Sequence, residues 1–237
     1  MKLGDILHSL FPAGCNLGAE GKLLAGHGSL PGGGAIHVLG VTEGTFLGVD
    51  EALWLARRVL EIGRAREATP ILLLVDSASQ RMSRRDELLG LNEYLAHLAK
   101  ALIVAEIAGH GSVGLLYGHS AAGAFIATGL ATRALVALPG ATPTVMDLPS
   151  MARVTKLSVD FLREKAARTP VFAPGLDNLA QAGAVLEIWD PGKPLDLQLA
   201  SCLSKLPAAD ARDRLGQERG GRPKAATIAA RVAKSAF

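Results

Sequence analysis

The stretch LLYGHSAAGAFIA, residues 115–127, decides the fold, because an apolar strand runs through small residues directly into a helix. Two chemistries use such a junction. One is the nucleophile elbow of serine hydrolases, in which a Ser stands on a sharp turn inside the pattern G-x-S-x-G. The other is an oxyanion hole, in which backbone N–H groups at the start of the helix stabilise charge on a thioester or carboxylate oxygen.

The order of residues along the chain separates these alternatives. Hydrolases with the elbow carry their acid and their His after the Ser. Here no His follows His119, and Ala122 stands where the elbow has Gly. The residues therefore favour an oxyanion hole made by the N–H groups of Ala121, Ala122 and Gly123. Close packing of a helix against a strand is the structural alternative for three small residues.

Length and composition limit the class of protein. A chain of 237 residues can form one large α/β domain. The residues AVILMFWYC make up 49% of it, but no run reaches the roughly 18 apolar residues of a membrane helix. We therefore expect a cytoplasmic protein that does not interact with membranes. Its excess of apolar residues predicts burial against another subunit.

Charge and cysteine content exclude further classes. The net charge is +3 and aromatic residues are 4% of the chain, which argues against nucleic-acid binding. Much of the basic excess lies in residues 212–234, which we interpret as a solvated or partner-facing helix. Cys15 and Cys202 lie far apart, and no Cys or His cluster has the spacing of metal ligands, so neither a disulfide framework nor a metal site is predicted.

Apolar runs alternate with helical patterns along the chain. The glycine-rich residues 20–34 are predicted to form a loop before the strand AIHVLGVTEG, and Asp50 is the predicted N-cap of the next helix. The run ILLLV then reads as a strand buried on both faces, followed by the polar loop DSASQRMSRRDE. A helix over residues 88–109, the strand SVGLL, a helix over residues 121–133 and a strand over residues 135–146 follow. This succession predicts parallel strands joined by right-handed crossovers.

Ligands in such sheets lie at the carboxyl ends of strands. Residues 76–83 and residues 117–123 follow neighbouring strands, which lie about 4.8 Å apart. N–H groups from both loops can therefore converge on one oxygen, with Ser79 and Gln80 supplying the second loop.

Three polar residues flank the same position. Tyr117, His119 and Ser120 are candidates for general acids that protonate a reaction intermediate or for groups that orient a carboxylate. Asp76, at the end of the buried strand, is expected to accept hydrogen bonds from nearby backbone N–H groups.

Three longer segments carry a family resemblance. They are GHGSLPGGGAIHVLGVTEGTFLGVDEALWLARRVLE, TPILLLVDSASQRMSRRDELLGLNEYLAHLAKAL and GLLYGHSAAGAFIATGLA. With them the chain resembles the crotonase-like carboxyltransferases, and most closely the gamma subunits of biotin-independent malonate decarboxylases. VDSASQ and YGHSAAG are similar, more distantly, to segments of the alpha subunit of bacterial acetyl-CoA carboxylase.

The resemblance implies a fold and an activity. The expected fold is a single α/β domain over residues 1–237, a crotonase-like (ClpP/crotonase) spiral of β-β-α units with a mostly parallel sheet, with residues 205–237 as a basic helical tail. The expected activity, shared with a homologous beta subunit, is decarboxylation of a malonyl thioester on an acyl carrier protein. The expected partners are that beta subunit, the carrier protein and its transferase subunit. No cofactor is expected on this chain, because the carrier bears the CoA-like prosthetic arm.

Two other functions stay open at this point. A biotin-dependent carboxyltransferase subunit would move the carboxyl group to biotin instead of releasing it. A scaffold subunit would only support a catalytic partner.

Overall fold

A mixed seven-stranded sheet organises the computed structural model, which describes residues 1–170 and 173–235. The strands β1 (Cys15–Glu20), β2 (Leu23–Ser29) and β3 (Ala35–Leu47) pair antiparallel. The strands β4 (Ile71–Gln80), β5 (Ser112–Leu116), β7 (Ala134–Ala137) and β9 (Glu187–Ile188) then extend the sheet in parallel from β3. A second, two-stranded parallel sheet joins β6 (His119–Ala121) to β8 (Thr142–Thr144). The predicted mostly parallel sheet is confirmed.

Some helices pack on the two faces of the large sheet, and others, such as the last, have no buried residue. The helices are α1 (Leu3–Leu10), α2 (Val49–Gly63), α3 (Arg84–Leu88), α4 (Leu91–Ile107), α5 (Ala122–Ala127), α6 (Leu148–Thr155), α7 (Val159–Ala166), α8 (Leu176–Gln181), α9 (Leu195–Ser204), α10 (Arg212–Glu218) and α11 (Ala225–Ser235). None of these helices is both long and apolar enough to cross a bilayer.

The central strand β4 is buried on both faces, as its continuous apolar run predicts. Ile71, Leu73 and Val75 pack into one core with residues of α2 and α4. Leu72 and Leu74 pack into a second core with residues of α1 and α9. Each of these fully buried side chains contributes roughly 1.5–3 kcal/mol relative to an exposed one.

The start of α2 differs from the sequence prediction. Asp50 is not the N-cap but lies in the first turn, and the cap is Gly48. The Gly48 N–H donates to Glu51 Oε2 over 3.0 Å, and the Val49 N–H donates to Asp86 Oδ1 over 2.9 Å. A carboxylate from α3, distant in sequence, thus replaces the local cap.

The glycine-rich residues 20–34 are not a continuous loop, because β2 occupies Leu23–Ser29. A Cβ on Gly26 would lie 2.0 Å from the Asn16 carbonyl oxygen, and one on Gly28 would lie 2.3 Å from the Phe11 ring. These glycines allow close approach of neighbouring groups within a strand, a use that composition alone does not separate from a loop.

Three predicted elements are interrupted. The helix predicted over residues 88–109 begins only after Gly90, which has φ +82°. The helix predicted over residues 121–133 ends at Ala127 and continues as a 3-10 turn over Gly129–Ala131. The strand predicted over residues 135–146 is two strands, because Gly140 at φ +87° turns the chain between β7 and β8.

The basic tail divides into an anchored part and an exposed part. The Arg219 guanidinium donates to the carbonyl oxygens of Ala180, Val185 and Leu186, each over 2.7 Å. In contrast, α11 has no buried residue along its described length. The prediction of a solvated or partner-facing helix therefore fits α11 but not Arg219, which holds α10 to the segment after α8. Residues 236 and 237 of the predicted tail lie outside the described residues.

Candidate functional site

The end of β4 lies against the junction between β5 and α5. β4 continues to Gln80, so the predicted polar loop begins five residues later than expected, because β3 also extends and pairs Thr45 with Ser77 and Leu47 with Gln80. The structure brings together the two segments that the sequence analysis placed side by side.

Three hydrogen bonds join these segments. The His119 N–H donates to Asp76 Oδ1 over 3.0 Å, the Ser77 and Ser120 hydroxyls lie 2.8 Å apart, and the Gly123 N–H donates to Gln80 Oε1 over 2.9 Å. Each bond links residues 43 positions apart in the chain, so the two segments run in a fixed register. Asp76 accepts a backbone hydrogen bond, as expected, but the donor is His119 on the other segment and not an N–H group close to Asp76 in the chain.

Two glycines make this approach possible. A Cβ on Gly118 would lie 2.1 Å from Asp76 Oδ1. A Cβ on Gly123 would lie 3.0 Å from Leu95 Cδ1 and 3.3 Å from Gln80 Oε1. A side chain at position 118 would therefore displace Asp76, whereas one at position 123 would require Leu95 and Gln80 to move by a few tenths of an ångström.

The backbone between these glycines is strained at one residue. Ala122, the first residue of α5, has φ +51°, whereas Ala121 before it is extended with φ −135°. A left-handed conformation costs a non-glycine residue roughly 1–2 kcal/mol. Such outliers cluster at functional sites, where surrounding contacts hold them in place.

Gln80 contributes to the site differently from the sequence prediction. Its N–H was expected to serve as a donor, but its side-chain carbonyl is an acceptor that occupies the Gly123 N–H. The neighbouring Ser79 hydroxyl donates to the backbone carbonyl oxygen of Gln80 over 3.1 Å. An amide oxygen thus lies where the proposed oxyanion site would place a substrate oxygen.

Ser120 is fully buried and its hydroxyl pairs with that of Ser77, which is also fully buried. No imidazole takes part in this pair. A buried hydroxyl bonded to another hydroxyl is not an activated nucleophile. The geometry therefore agrees with the sequence argument against a hydrolase.

Tyr117 packs against the second core, with residues such as Leu115 and Val136. Its hydroxyl is buried and has no hydrogen-bond partner among the described residues. Burial raises the pKa of Tyr117, and the charges of Asp76 and Glu43 raise this pKa further.

His119 is exposed, and its Nδ1 lies 3.0 Å from the Thr142 hydroxyl across the β6–β8 pair. If that hydroxyl donates to Nδ1, the neutral ring carries its proton on Nε2. Of the three predicted acids, only His119 is exposed, whereas Tyr117 is partly buried and Ser120 is buried.

Two of the three arginines after β4 are engaged in ion pairs. Arg81 pairs with Glu51, and Arg85 pairs with Asp50 over 2.8 Å. Hydrogen bonds from Ser83 and from the backbone of Val49 lower the pKa of Asp86, which is buried beside them. These contacts fix the turn after β4 to the start of α2.

Sequence reasoning missed Ser77, Leu95, Thr142 and Thr144 as neighbours of the site. Thr144 pairs with Ala121 in the small sheet, and its buried hydroxyl has no partner among the described residues. Leu95 and the threonines reach the site from α4 and β8, for which no local motif exists.

The comparisons with known proteins identify the family. A family model for the malonate decarboxylase gamma subunit matches residues 42–236. The chain belongs to this family. It is also 30% identical over 211 residues to the malonyl-S-ACP:biotin-protein carboxyltransferase MADD of Malonomonas rubra, covering 81% of this chain and 72% of that protein. The resemblance given from the sequence is confirmed.

Solved structures extend the likeness to the whole fold. A Pseudomonas malonate decarboxylase hetero-tetramer in complex with coenzyme A has a chain with 28% identity and a TM-score of 0.77, with 97% of this chain and 96% of that chain covered. The Pseudomonas MdcD–MdcE hetero-dimer gives 26% identity and a TM-score of 0.75, with 98% and 99% covered. Transcarboxylase 12S shares the fold at 16% identity and a TM-score of 0.68, with 86% of this chain but 40% of that chain covered. The predicted crotonase-like fold is confirmed.

Proposed function

We propose that this chain, together with a homologous beta subunit, decarboxylates malonyl-S-acyl carrier protein to acetyl-S-acyl carrier protein and CO₂. Membership of the malonate decarboxylase gamma subunit family supports the decarboxylation. The similar Pseudomonas chain in the MdcD–MdcE hetero-dimer supports the partner subunit. The name of the relative MADD supports a malonyl group carried as a thioester on an acyl carrier protein.

The chemistry needs a stabilised enolate. When the bond to the carboxylate breaks, its electron pair moves into the thioester, and negative charge develops on the thioester oxygen. Backbone donors that already point at this oxygen stabilise it, and losing one such donor costs about 100- to 1000-fold in rate. No cofactor on this chain is needed, since the carrier brings the prosthetic arm.

The single observation that carries the site assignment is the Gly123 N–H, which donates to a carbonyl oxygen at 2.9 Å. In our proposal the thioester oxygen replaces the Gln80 amide oxygen at this donor. The strained residue Ala122 directly precedes the donor, and Gly123 adds no side chain of its own to the space that Gln80 now fills.

His119 is the proposed proton donor to the enolate carbon. It is exposed beside the junction and oriented by Thr142, whereas the Tyr117 hydroxyl is buried and the Ser120 hydroxyl is bonded to Ser77. Removing a general acid typically costs 10²- to 10⁴-fold. We expect His119→Ala to lower kcat by about 100-fold or more in the reconstituted complex. A wild-type rate for His119→Ala would show that the proton comes from another group, in the partner subunit or in water.

The deciding experiment is reconstitution of the chain with its beta subunit, followed by measurement of CO₂ release from malonyl-loaded carrier protein. Release that is unaffected by avidin supports the proposal. Absence of release, with carboxyl transfer to biotin instead, would overturn it in favour of a carboxyltransferase. That second function is favoured by one observation, the biotin-protein carboxyltransferase name of the relative MADD.

A scaffold role predicts a different result. If this chain only supports the beta subunit, His119→Ala and changes at Gln80 leave turnover unchanged while the complex still assembles. Size-exclusion chromatography of each variant with the beta subunit separates a loss of assembly from a loss of catalysis.

A further inference from the structure

Three histidines cluster on the face of the sheet that packs against α2, away from the site described above. The rings of His27 and His37 have centroids 4.7 Å apart, and those of His37 and His110 have centroids 6.5 Å apart. His27 is exposed, His37 is half-buried and His110 is fully buried. None of the three takes part in the proposed decarboxylation.

His27 and His37 are directly opposite each other on β2 and β3. The Thr42 N–H donates to the Lys22 carbonyl oxygen, so Lys22 and Thr42 form a hydrogen-bonded pair. Hydrogen-bonded and non-hydrogen-bonded pairs alternate along an antiparallel ladder. The His27–His37 pair is an odd number of positions from the Lys22–Thr42 pair and is therefore not hydrogen-bonded. Side chains approach most closely at non-hydrogen-bonded antiparallel pairs. Two imidazoles are therefore held close together by paired strands and not by a mobile loop.

A cavity of about 420 Å³ gives access to this pair. Its lining includes His27, His37, Arg58 and Glu61. The Arg58 charge is engaged, because the guanidinium pairs with Glu61 over 3.1 Å and lies 5.2 Å from the centroid of the Trp54 ring. Arg58 and Glu61 thus pair with each other, whereas the His27 and His37 imidazoles have no hydrogen bond or ion pair with other described residues that line the cavity.

The geometry points to a two-imidazole site, formed by His27 and His37, for a divalent first-row transition cation such as Zn²⁺. A metal about 2.0–2.1 Å from each ring nitrogen lies about 3.2 Å from each centroid. When one nitrogen of each ring points at the same position, centroids 4.7 Å apart correspond to an angle of about 94° at a metal there, between right-angle and tetrahedral coordination. No group of three or more His, Cys, Asp or Glu residues could hold a metal within residues 1–170 and 173–235, so the proposed site has two protein ligands and its other positions are left for water.

His110 lies behind this pair, with its ring centroid 6.5 Å from that of His37. Its Nδ1 donates to the Thr69 carbonyl oxygen over 2.9 Å, and its buried Nε2 has no hydrogen-bond partner among the described residues.

The test is titration calorimetry of the untagged full chain with ZnCl₂ at pH 7.5, with MgCl₂ as the control for a cation that prefers oxygen ligands. We expect saturable Zn²⁺ binding at one site and none for Mg²⁺. His27→Ala and His37→Ala should each weaken binding by more than the about 10- to 100-fold that loss of an outer-shell partner costs. The matched control His97→Ala removes an exposed imidazole from α4 and should leave the affinity unchanged.

Several outcomes would overturn the site. They are absence of Zn²⁺ binding to the wild-type chain, equal affinity in the wild type and in His27→Ala, or an equal loss in His97→Ala. Because His27 is exposed, its substitution tests the site even if His37→Ala unfolds the chain. The calorimetry does not depend on the decarboxylase activity, and CO₂ release by the complex should be the same for His27→Ala and the wild type.

Discussion

The contact between Gln80 and Gly123 leads to a quantitative prediction. In the free chain the Gly123 N–H is bonded to Gln80 Oε1 at 2.9 Å, so under the proposed mechanism a substrate oxygen has to displace the Gln80 amide. A neutral hydrogen bond contributes about 0.5–1.5 kcal/mol net. Gln80→Leu substitutes an apolar side chain of similar size and so removes the competing oxygen, and KM should fall by about 2- to 12-fold.

The opposite change should have the opposite effect. Gln80→Glu presents a carboxylate to the same N–H, and hydrogen bonds to charged groups contribute about 1.5–3 kcal/mol. The difference from the neutral amide, about 1–1.5 kcal/mol, predicts a KM increase of about 5- to 13-fold. The stability order should be reversed, because Gln80→Leu leaves the partly buried Gly123 N–H unpaired in the free chain.

The assay is steady-state CO₂ release from malonyl-S-acyl carrier protein by the reconstituted complex, together with urea denaturation of each variant. Opposite movement of KM in the Leu and Glu variants, with kcat nearly constant, supports displacement of the amide. A higher KM in both variants would refute it and assign Gln80 a direct contact with substrate. Equal KM and kcat in the wild type, Gln80→Leu and Gln80→Glu would show that the Gly123 N–H does not contact the substrate.

Three further predictions concern stability. Ala122→Gly should raise the free energy of unfolding by up to about 1 kcal/mol, because glycine adopts φ +51° without strain, and Ala122→Val should lower it, as urea denaturation would measure. Ser77→Ala or Ser120→Ala should each cost about 1–3 kcal/mol by leaving a buried hydroxyl unpaired, and the double variant should cost less than the sum, which a double-mutant cycle tests. Folding lowers the pKa of His37 below its unfolded value of about 6.5, so its contribution to stability is present above that pH and is lost as the pH falls through the folded pKa. His37→Gln should therefore flatten the pH dependence of stability on the acid side, and an unchanged melting profile between pH 7.5 and 5 would contradict this.

Local sequence pattern was sufficient for the central part of the sheet. The runs ILLLV and SVGLL contain one polar residue, Ser112. Its side chain is buried, and its hydroxyl accepts a hydrogen bond from the Arg133 N–H. A strand of this kind must be covered on both faces, which restricts the fold to helices on both sides of a parallel sheet. The meeting of residues 76–80 with residues 118–123 follows from that topology.

Contacts distant in sequence decided what the pattern missed. The polar segment after Val75 has no apolar alternation, and it is a strand only because the irregular end of β3 pairs with it. The N-cap residue of α2 is Gly48, which has no side chain, and Asp86 on α3 accepts the next N–H in its place, so a rule that looks for a capping side chain next to the helix selects Asp50. The side chain of Gln80 could not be oriented from sequence, because its partner is a backbone group 43 residues away.

The equal 43-residue offset of the three bonds has a mechanical consequence. A register shift of one residue between the two segments would break all three contacts together. Such a shift cannot occur one contact at a time. Rotation about the bonds of one glutamine, by comparison, disturbs a single contact and leaves the other two intact. Entry of an acyl group into this junction should therefore be a nanosecond side-chain movement on a stiff frame, without any slow rearrangement of the sheet.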